Sequence, residues 1–195
     1  MKGSRLQLII GLIAVLATPL VAQNNNIFYM ARSAGAVTAG CIPNASGRVT
    51  ISPRGPVENM HVEVGGLPPN TEFDLFVIQL PNAPFGLSWY QGDIETDSTG
   101  RGVGDFVGRF SLETFIVAPG SGPAPVVHAV DASSNPPTAP VHTFHLGLWF
   151  GSAAAAVAAG CPGTVTPFNG DHTAGIQALS TRNFANLYGP LRRLP

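Results

Sequence analysis

The chain has almost no lysine and little charge of any kind. Lys2 is the only lysine among 195 residues, and charged residues make up 11% of the sequence. Beyond residue 2, the missing lysine excludes a lysine–asparagine isopeptide crosslink, a Schiff-base lysine and a P-loop lysine. The ten Lys and Arg nearly balance the eleven Asp and Glu, and no basic patch is visible. We therefore predict no nucleic-acid partner.

Long apolar runs are scarce as well, and the longest lies near the amino terminus. Lys2 and Arg5 precede an apolar run over Leu6–Leu16, Pro19 breaks that run, and Ala22 supplies a small residue. This order predicts a secretory signal peptide over residues 1–22, with a retained signal anchor as the alternative. The mature chain contains no apolar run long enough to cross a bilayer. The expected location is secreted or extracytoplasmic: periplasm, cell surface or outside the cell.

The chain also has few cysteines. Cys41 and Cys161 are the only two. In an exported protein, an even number of cysteines favours a disulfide. A bond between these two would enclose most of the mature chain. The alternative is a pair of buried free thiols.

Glycine and proline are abundant, with 23 and 18 residues, and they separate short apolar runs. Residues 57–64 alternate, with Met60, Val62 and Val64 on one face, which is typical of a half-buried strand. Residues 73–80 are apolar on both faces and predict a central, covered strand. Further strands are predicted at 48–52, 103–110, 112–118, 141–150 and 174–179. The fold class is therefore all-β.

These elements predict one β-sandwich domain over residues 41–187 with long Pro/Gly loops. Residues 23–40 are interpreted as an extended or mobile lead-in, with an edge strand at Ile27–Met30 as the alternative, and residues 188–195 as a loosely held tail. Ser152 and Gly160 bracket an alanine-rich run, so we predict one short helix near 152–159. Asp97 and Gly100 occupy the first and last positions of a predicted turn between two strands.

The stretch Leu67–Phe73, L-P-P-N-T-E-F, resembles the L-x-P-x-T-x-Y corner of fibronectin type III and related immunoglobulin-like domains. That resemblance implies a mostly antiparallel immunoglobulin-like β-sandwich in which the aromatic residue packs under the corner. Phe73 lacks the tyrosine hydroxyl, and too few residues lie between Cys41 and Gly66 for the strands that family places there. The resemblance therefore supports a sandwich without its full topology.

A wider pattern is similar to a group of exported bacterial β-sandwich proteins to which no activity is attached. The matching strings are G-L-S-W-Y-Q-G-D-I-E-T-D-S-T-G-R-G at 86–102, P-V-H-T-F-H-L-G-L-W-F at 140–150 and A-G-C-P-G-T-V-T-P-F-N-G at 159–170. This similarity implies an exported bacterial protein and says nothing about chemistry.

Three carboxylates alternate as Asp93, Glu95 and Asp97. Clustered carboxylates suit Ca²⁺, so the pattern is a candidate calcium site. Same-face neighbours in a strand lie about 6.5–7 Å apart, which is awkward for one ion. The alternative is a solvated hairpin face in which Asp97 begins the turn.

Four of the five histidines fall in the second half: His128, His142, His145 and His172. Histidine clusters bind Zn²⁺, so these residues are candidate metal ligands. A strand would send His142 and His145 to opposite faces, which argues against a paired site. The alternative is a set of hydrogen-bonded or surface histidines.

Trp89, Tyr90 and Trp149 form a candidate ligand surface for carbohydrate or protein, with core packing as the alternative. The chain contains no G-x-S-x-G motif and no other catalytic signature. We therefore expect a non-catalytic module for binding, adhesion or structure, with no cofactor unless Ca²⁺ or Zn²⁺ binds. The alternative is a metal-binding protein or metal-dependent enzyme that uses the late histidines.

Overall fold

The fold of this chain is known from a computed structural model, which describes residues 26–86, 88–110, 143–166 and 174–194. Within these ranges the protein is mostly antiparallel β-sheet, as predicted. The eight strands are β1 (Asn26–Arg32), β2 (Ser46–Arg54), β3 (Val57–Gly65), β4 (Glu72–Ile78), β5 (Ser88–Glu95), β6 (Gly102–Gly108), β7 (His145–Phe150) and β8 (Gln177–Ser180). Two short helices, α1 (Ala34–Thr38) and α2 (Ala153–Ala158), and a 3-10 helix (Pro190–Arg193) accompany them.

All eight strands belong to one sheet in the order β5-β4-β7-β8-β1-β2-β3-β6. The strands β1, β2, β3 and β6 form what we call the first half-sheet, and β4, β5, β7 and β8 form the second half-sheet. Between the halves, β1 and β8 share only the pairs Ala31–Ser180 and Arg32–Leu179. At the opposite margin, a single bridge joins Thr96 to Gly102.

The result differs from the predicted immunoglobulin-like sandwich, because the described strands make one nearly closed, barrel-like sheet. The physical reason is β1, which pairs with β2 on one side and β8 on the other. The sequence predicts residues 27–30 as an edge strand or as part of a mobile lead-in, whereas β1 lies inside the sheet, between β8 and β2. Phe28 and Met30 are buried while Ile27 and Tyr29 are exposed, so the strand alternates like its neighbours.

Alternation also explains the core. Met60, Val62 and Val64 of β3 are buried, as the sequence predicts. All residues of β4 except Glu72 are buried, which confirms a strand covered on both faces. Its inner residues join the main core, while Phe76 and Ile78 join a smaller cluster on the outer face of the second half-sheet. The main core therefore lies between the two half-sheets.

The two helices end in nearly identical turns that meet at the disulfide. Ser33 caps α1 and Ser152 caps α2, each accepting a bond from a backbone N–H three residues on. Gly40 and Gly160 then adopt positive φ angles of 69° and 75°. These left-handed residues end each helix and turn the next residue, a cysteine, back toward the helix.

A disulfide between Cys41 and Cys161 confirms the predicted pairing. The two Cα atoms lie 5.3 Å apart, and 120 residues separate the cysteines in sequence. Each cysteine N–H donates to the carbonyl of a fully buried alanine, Ala36 or Ala156. The predicted helix near 152–159 is present as α2, and α1 is an additional helix in the predicted lead-in.

The carboxyl-terminal segment is held more firmly than the predicted loose tail. Leu191 is 1% exposed, and its N–H donates to the carbonyl of Phe144. The amide of Asn26 donates to the carbonyl of Pro190 at 3.1 Å. One buried leucine and two hydrogen bonds therefore attach residues 190–194 to the sheet. The predicted strand at 112–118 lies outside the described residues.

The disulfide generates a stability prediction. We expect the Cys41→Ser, Cys161→Ser double variant to lose about 4–5 kcal/mol of unfolding free energy, because a loop this long greatly restricts the unfolded chain. Urea unfolding of the parent and the variant measures the loss. The reduced parent is the matched control and should unfold at the same urea concentration as the variant. Equal midpoints for the oxidised parent and the variant would contradict the expectation.

Candidate functional site

An acidic group lies on the outer face of the second half-sheet. In the hairpin of β4 and β5, Glu72 lies opposite Glu95, and Asp74 lies opposite Asp93. Glu72, Asp74 and Asp93 offer carboxylate oxygens that all lie within 4.8 Å of one another, and Asp74 is buried. Like charges directly opposite each other destabilise a sheet, so this arrangement has an energetic cost.

Tyr90 lies beside this acidic group. Its hydroxyl donates to Oδ1 of Asp93 at 2.6 Å. Burial of the hydroxyl, the bond to Asp93 and the nearby negative charges raise the pKa of Tyr90 well above its ordinary value of 10.0. Ionised tyrosine would add another negative charge here, so the phenol stays protonated and donates to the carboxylate.

The structure separates the three alternating carboxylates of the predicted calcium site. Oδ1 of Asp97 accepts hydrogen bonds from the hydroxyl and N–H of Thr99, both at 2.7 Å, and from the N–H of Arg101 at 3.1 Å. These bonds, the Thr99 hydroxyl above all, lower the pKa of Asp97. Asp97 therefore stabilises the turn that ends at Gly100, which confirms the predicted turn.

Asp93 instead groups with Glu72 and Asp74, which the sequence analysis missed. The signal in the sequence is a second alternating pair, E-F-D at 72–74, in the first strand of the hairpin. Carboxylate oxygens at this spacing suit a hard cation such as Ca²⁺. Exposed acidic groups are nevertheless common without an ion, so the geometry alone assigns no metal.

Of the four late histidines, the structure describes His145. This residue is fully buried in β7, and both ring nitrogens have partners. Nδ1 lies 2.9 Å from the hydroxyl of Thr181, and Nε2 lies 3.0 Å from the carbonyl of Asn186. A carbonyl only accepts, so Nε2 carries the hydrogen and Nδ1 accepts from Thr181. This histidine joins β7 to the chain after β8. His128, His142 and His172 lie outside the described residues.

The three aromatic residues of the predicted ligand surface do not share one surface. Trp149 is fully buried, with its ring edge-on to Phe76 and Phe85 at centroid distances of 5.4 and 4.9 Å. Trp89 and Tyr90 are 47% and 43% exposed. They are consecutive in β5 and so face opposite sides of the sheet. Trp149 therefore packs in the core, which was the alternative to a ligand surface.

One cavity lies on the outer face of the first half-sheet, and we call it the outer groove. It has a volume of about 510 Å³, within the range of small-ligand sites. One row of its lining crosses four strands, with Tyr29 opposite Arg48, Arg48 opposite Glu63, and Glu63 opposite Val103. The same lining also contains Asn44, Ser46, Gly65 and Arg101.

Gly65 creates the depression between the polar side chains. It lies opposite Ser46 in the β2–β3 ladder. A Cβ added to Gly65 would meet nothing closer than Cγ of Arg101, at 4.0 Å. The φ angle of Gly65 lies outside the left-handed region, so other residues can adopt its backbone conformation. The absence of a side chain at this position therefore opens space that the fold itself does not use.

The two arginines of the outer groove differ in their ion pairing. Arg48 forms an ion pair with Glu63, with Nη1 and Oε2 2.6 Å apart. The bond to Glu63 raises the pKa of Arg48. Arg101 is exposed and has no ion pair among the residues that the structure describes. One guanidinium is thus available to an incoming group, while the other is held in place.

Sequence reasoning did not single out the outer groove, because its residues look like ordinary solvent-facing positions of separate strands. Only the sheet order brings Tyr29 of β1 into line with β2, β3 and β6. Comparison of the chain with protein-family models, curated proteins and solved structures finds no match.

The burial of His145 generates a pH prediction. Burial lowers the pKa of His145 below its ordinary value of 6.5. The unfolded chain then binds the proton more readily, so this residue makes stability fall as the pH drops below 6.5 and level off below the folded pKa.

Urea unfolding of the parent and of His145→Gln at pH 7.5 and pH 5 measures this contribution. We expect a smaller loss of stability on acidification in the variant, because glutamine does not titrate. An equal loss in both proteins would show that His145 does not carry the effect.

Proposed function

We propose that this protein is an exported, non-catalytic binding module that holds its ligand in the outer groove. The disulfide supports an oxidising compartment, where such bonds form and persist. Among the described residues, no helix has the length and apolar character needed to span a membrane. Export would proceed through the signal peptide that the sequence predicts over residues 1–22.

The outer groove is the observation that carries this proposal. Its volume suits a small ligand, and its lining combines the exposed ring of Tyr29, the Arg48–Glu63 pair and Arg101, which has no ion pair with any described residue. Binding sites typically combine an apolar contact surface with a few polar groups that fix orientation. The ion pair holds Arg48 and Glu63 in one geometry, so part of the site is organised before a ligand arrives.

Two predictions from the sequence stay open beside this proposal. The likeness of the Leu67–Phe73 corner to immunoglobulin-like domains remains a local similarity. The metal-binding alternative also stays a prediction, because His145 is fully hydrogen-bonded and the acidic group by itself assigns no ion.

Elemental analysis of the purified protein decides this metal-binding alternative. Stoichiometric zinc or calcium would support it, and metal-free, folded protein would remove it.

Export has a direct test. When the full chain is expressed in a secreting bacterial host, we expect extracytoplasmic protein whose mass corresponds to a chain beginning at Gln23, because a signal peptidase cleaves after Ala22. Intact-mass spectrometry of the fractionated protein makes the measurement. Protein that retains residues 1–22 in the membrane fraction would instead establish the anchor alternative.

Filling the groove tests the binding site. Gly65→Val adds a side chain to open space, so we expect it to fold normally and to block ligands. Ser52→Val is the matched control, because Ser52 lies on β2 outside the groove lining. Thermal shift against a panel of neutral sugars, acidic sugars and short peptides makes the measurement.

We expect a panel member to raise the melting temperature of the parent and of Ser52→Val but not of Gly65→Val. Two results would overturn the proposed site. In one, Gly65→Val keeps the shift of the parent. In the other, no panel member shifts any of the three proteins.

A further inference from the structure

We infer that the ligand of the outer groove is an acidic sugar, a pyranose that carries one carboxylate. This inference rests on the proposed function and adds the chemical class of the ligand. Three features of the groove contribute to it: an exposed aromatic ring, an ion pair with hydrogen-bonding capacity, and an arginine that forms no ion pair within the described part of the chain.

Tyr29 supplies a surface for the sugar ring. Its side chain is 60% exposed although it lies on a strand paired on both sides, so its backbone is fixed while its ring faces solvent. Aromatic rings contribute large contact area at low cost in conformational entropy. A pyranose presents a face of C–H groups, which packs against such a ring.

The Arg48–Glu63 pair and its neighbours supply partners for hydroxyl groups. Arginine has five N–H donors, and the ion pair occupies only part of them, while Glu63 keeps lone pairs for accepting bonds. Asn44 and Ser46 add exposed polar side chains to the same lining. Sugar hydroxyls both donate and accept, so a lining with both kinds of partner suits them.

Arg101 sets the charge of the ligand. Arg48 and Glu63 form an ion pair, which leaves Arg101 as the charge of the lining without an ion pair among the described residues; Asp97, outside the lining, attracts it only at longer range. Guanidinium binds carboxylate with two parallel hydrogen bonds, and such charge-assisted bonds are about twice as strong as neutral ones. The charged residues of the lining leave one net positive charge, which matches one carboxylate on the ligand.

Calorimetric titration with three matched sugars tests the inference on the full mature protein at low ionic strength. Methyl β-D-glucuronide carries the carboxylate, methyl β-D-glucoside lacks it, and glucose 6-phosphate carries a different anion. We expect the glucuronide to bind about tenfold more tightly than the glucoside, a difference of about 1.4 kcal/mol. Added salt should weaken the glucuronide more than the glucoside.

Two arginine variants test whether Arg101 binds the carboxylate of the sugar. Arg101→Gln should bring the two affinities together, while Arg54→Gln should leave the tenfold difference intact. Arg54 is exposed at the end of β2, outside the groove lining, and its substitution changes the net charge equally. Circular dichroism and the melting temperature check that both variants fold like the parent.

The outcomes separate this inference from the proposed function. Equal affinity for glucuronide and glucoside, with both blocked by Gly65→Val, overturns the acidic class and leaves the binding site standing. Tighter binding of glucose 6-phosphate overturns the carboxylate in favour of phosphate. Binding of no sugar overturns the acidic-sugar class, and the wider panel then decides the site on its own.

Discussion

The narrow junction between β1 and β8 is the interaction on which the rest of the fold depends. Two residue pairs connect the half-sheets there, and side chains extend the connection. Nε of Arg182 donates to the carbonyl of Arg32 at 2.6 Å, and Nδ2 of Asn183 donates to the carbonyl of Tyr29 at 3.2 Å.

The disulfide adds a covalent link between the half-sheets, because Cys41 follows the helix after β1 and Cys161 follows the helix after β7. Without this junction the halves would share little beyond their apolar faces and one bridge.

The far margin of the sheet is closed in a different way. Beyond the Thr96–Gly102 bridge, a phenylalanine ring replaces backbone pairing. A Cβ on Gly92 would lie 2.7 Å from the ring of Phe106, and a Cβ on Gly104 would lie equally close. Gly92 also has a φ angle of 149°, at the irregularity where β5 shifts register against β4. The two glycines therefore let Phe106 of β6 cover the gap toward β5, which protects the core without a continuous ladder.

Local patterns in the sequence predict the fold where a single strand carries its own signal. The alternation of β3, the two apolar faces of β4, the Ser152 cap and the cysteine pair all predict what the structure contains. The sheet order cannot be derived this way, because β1 looks like a short run after a polar stretch and one of its two partners, β8, lies near the other end of the chain. The recurring string A-V-x-A-G-C, at residues 36–41 and 156–161, was a missed signal for the matching helix ends. The outer groove depends on the same sheet order, so its residues carry no joint pattern.

The difference between the two outer faces explains why the candidate site lies on the first half-sheet. On the second half-sheet, Phe76, Ile78 and Trp149 bury one another under Phe85, and the adjoining surface carries the acidic group. The apolar side chains of that face are therefore already covered by this small cluster. On the first half-sheet, the buried apolar residues point inward. The outer face carries polar side chains together with the exposed Ile27, Val103 and Val107, and it is covered by no described element, so its side chains are shaped by cross-strand contacts. A glycine in such a face costs the core nothing. Gly65 therefore opens a depression whose polar lining the fold does not need for its own stability, and this freedom makes it available to a ligand.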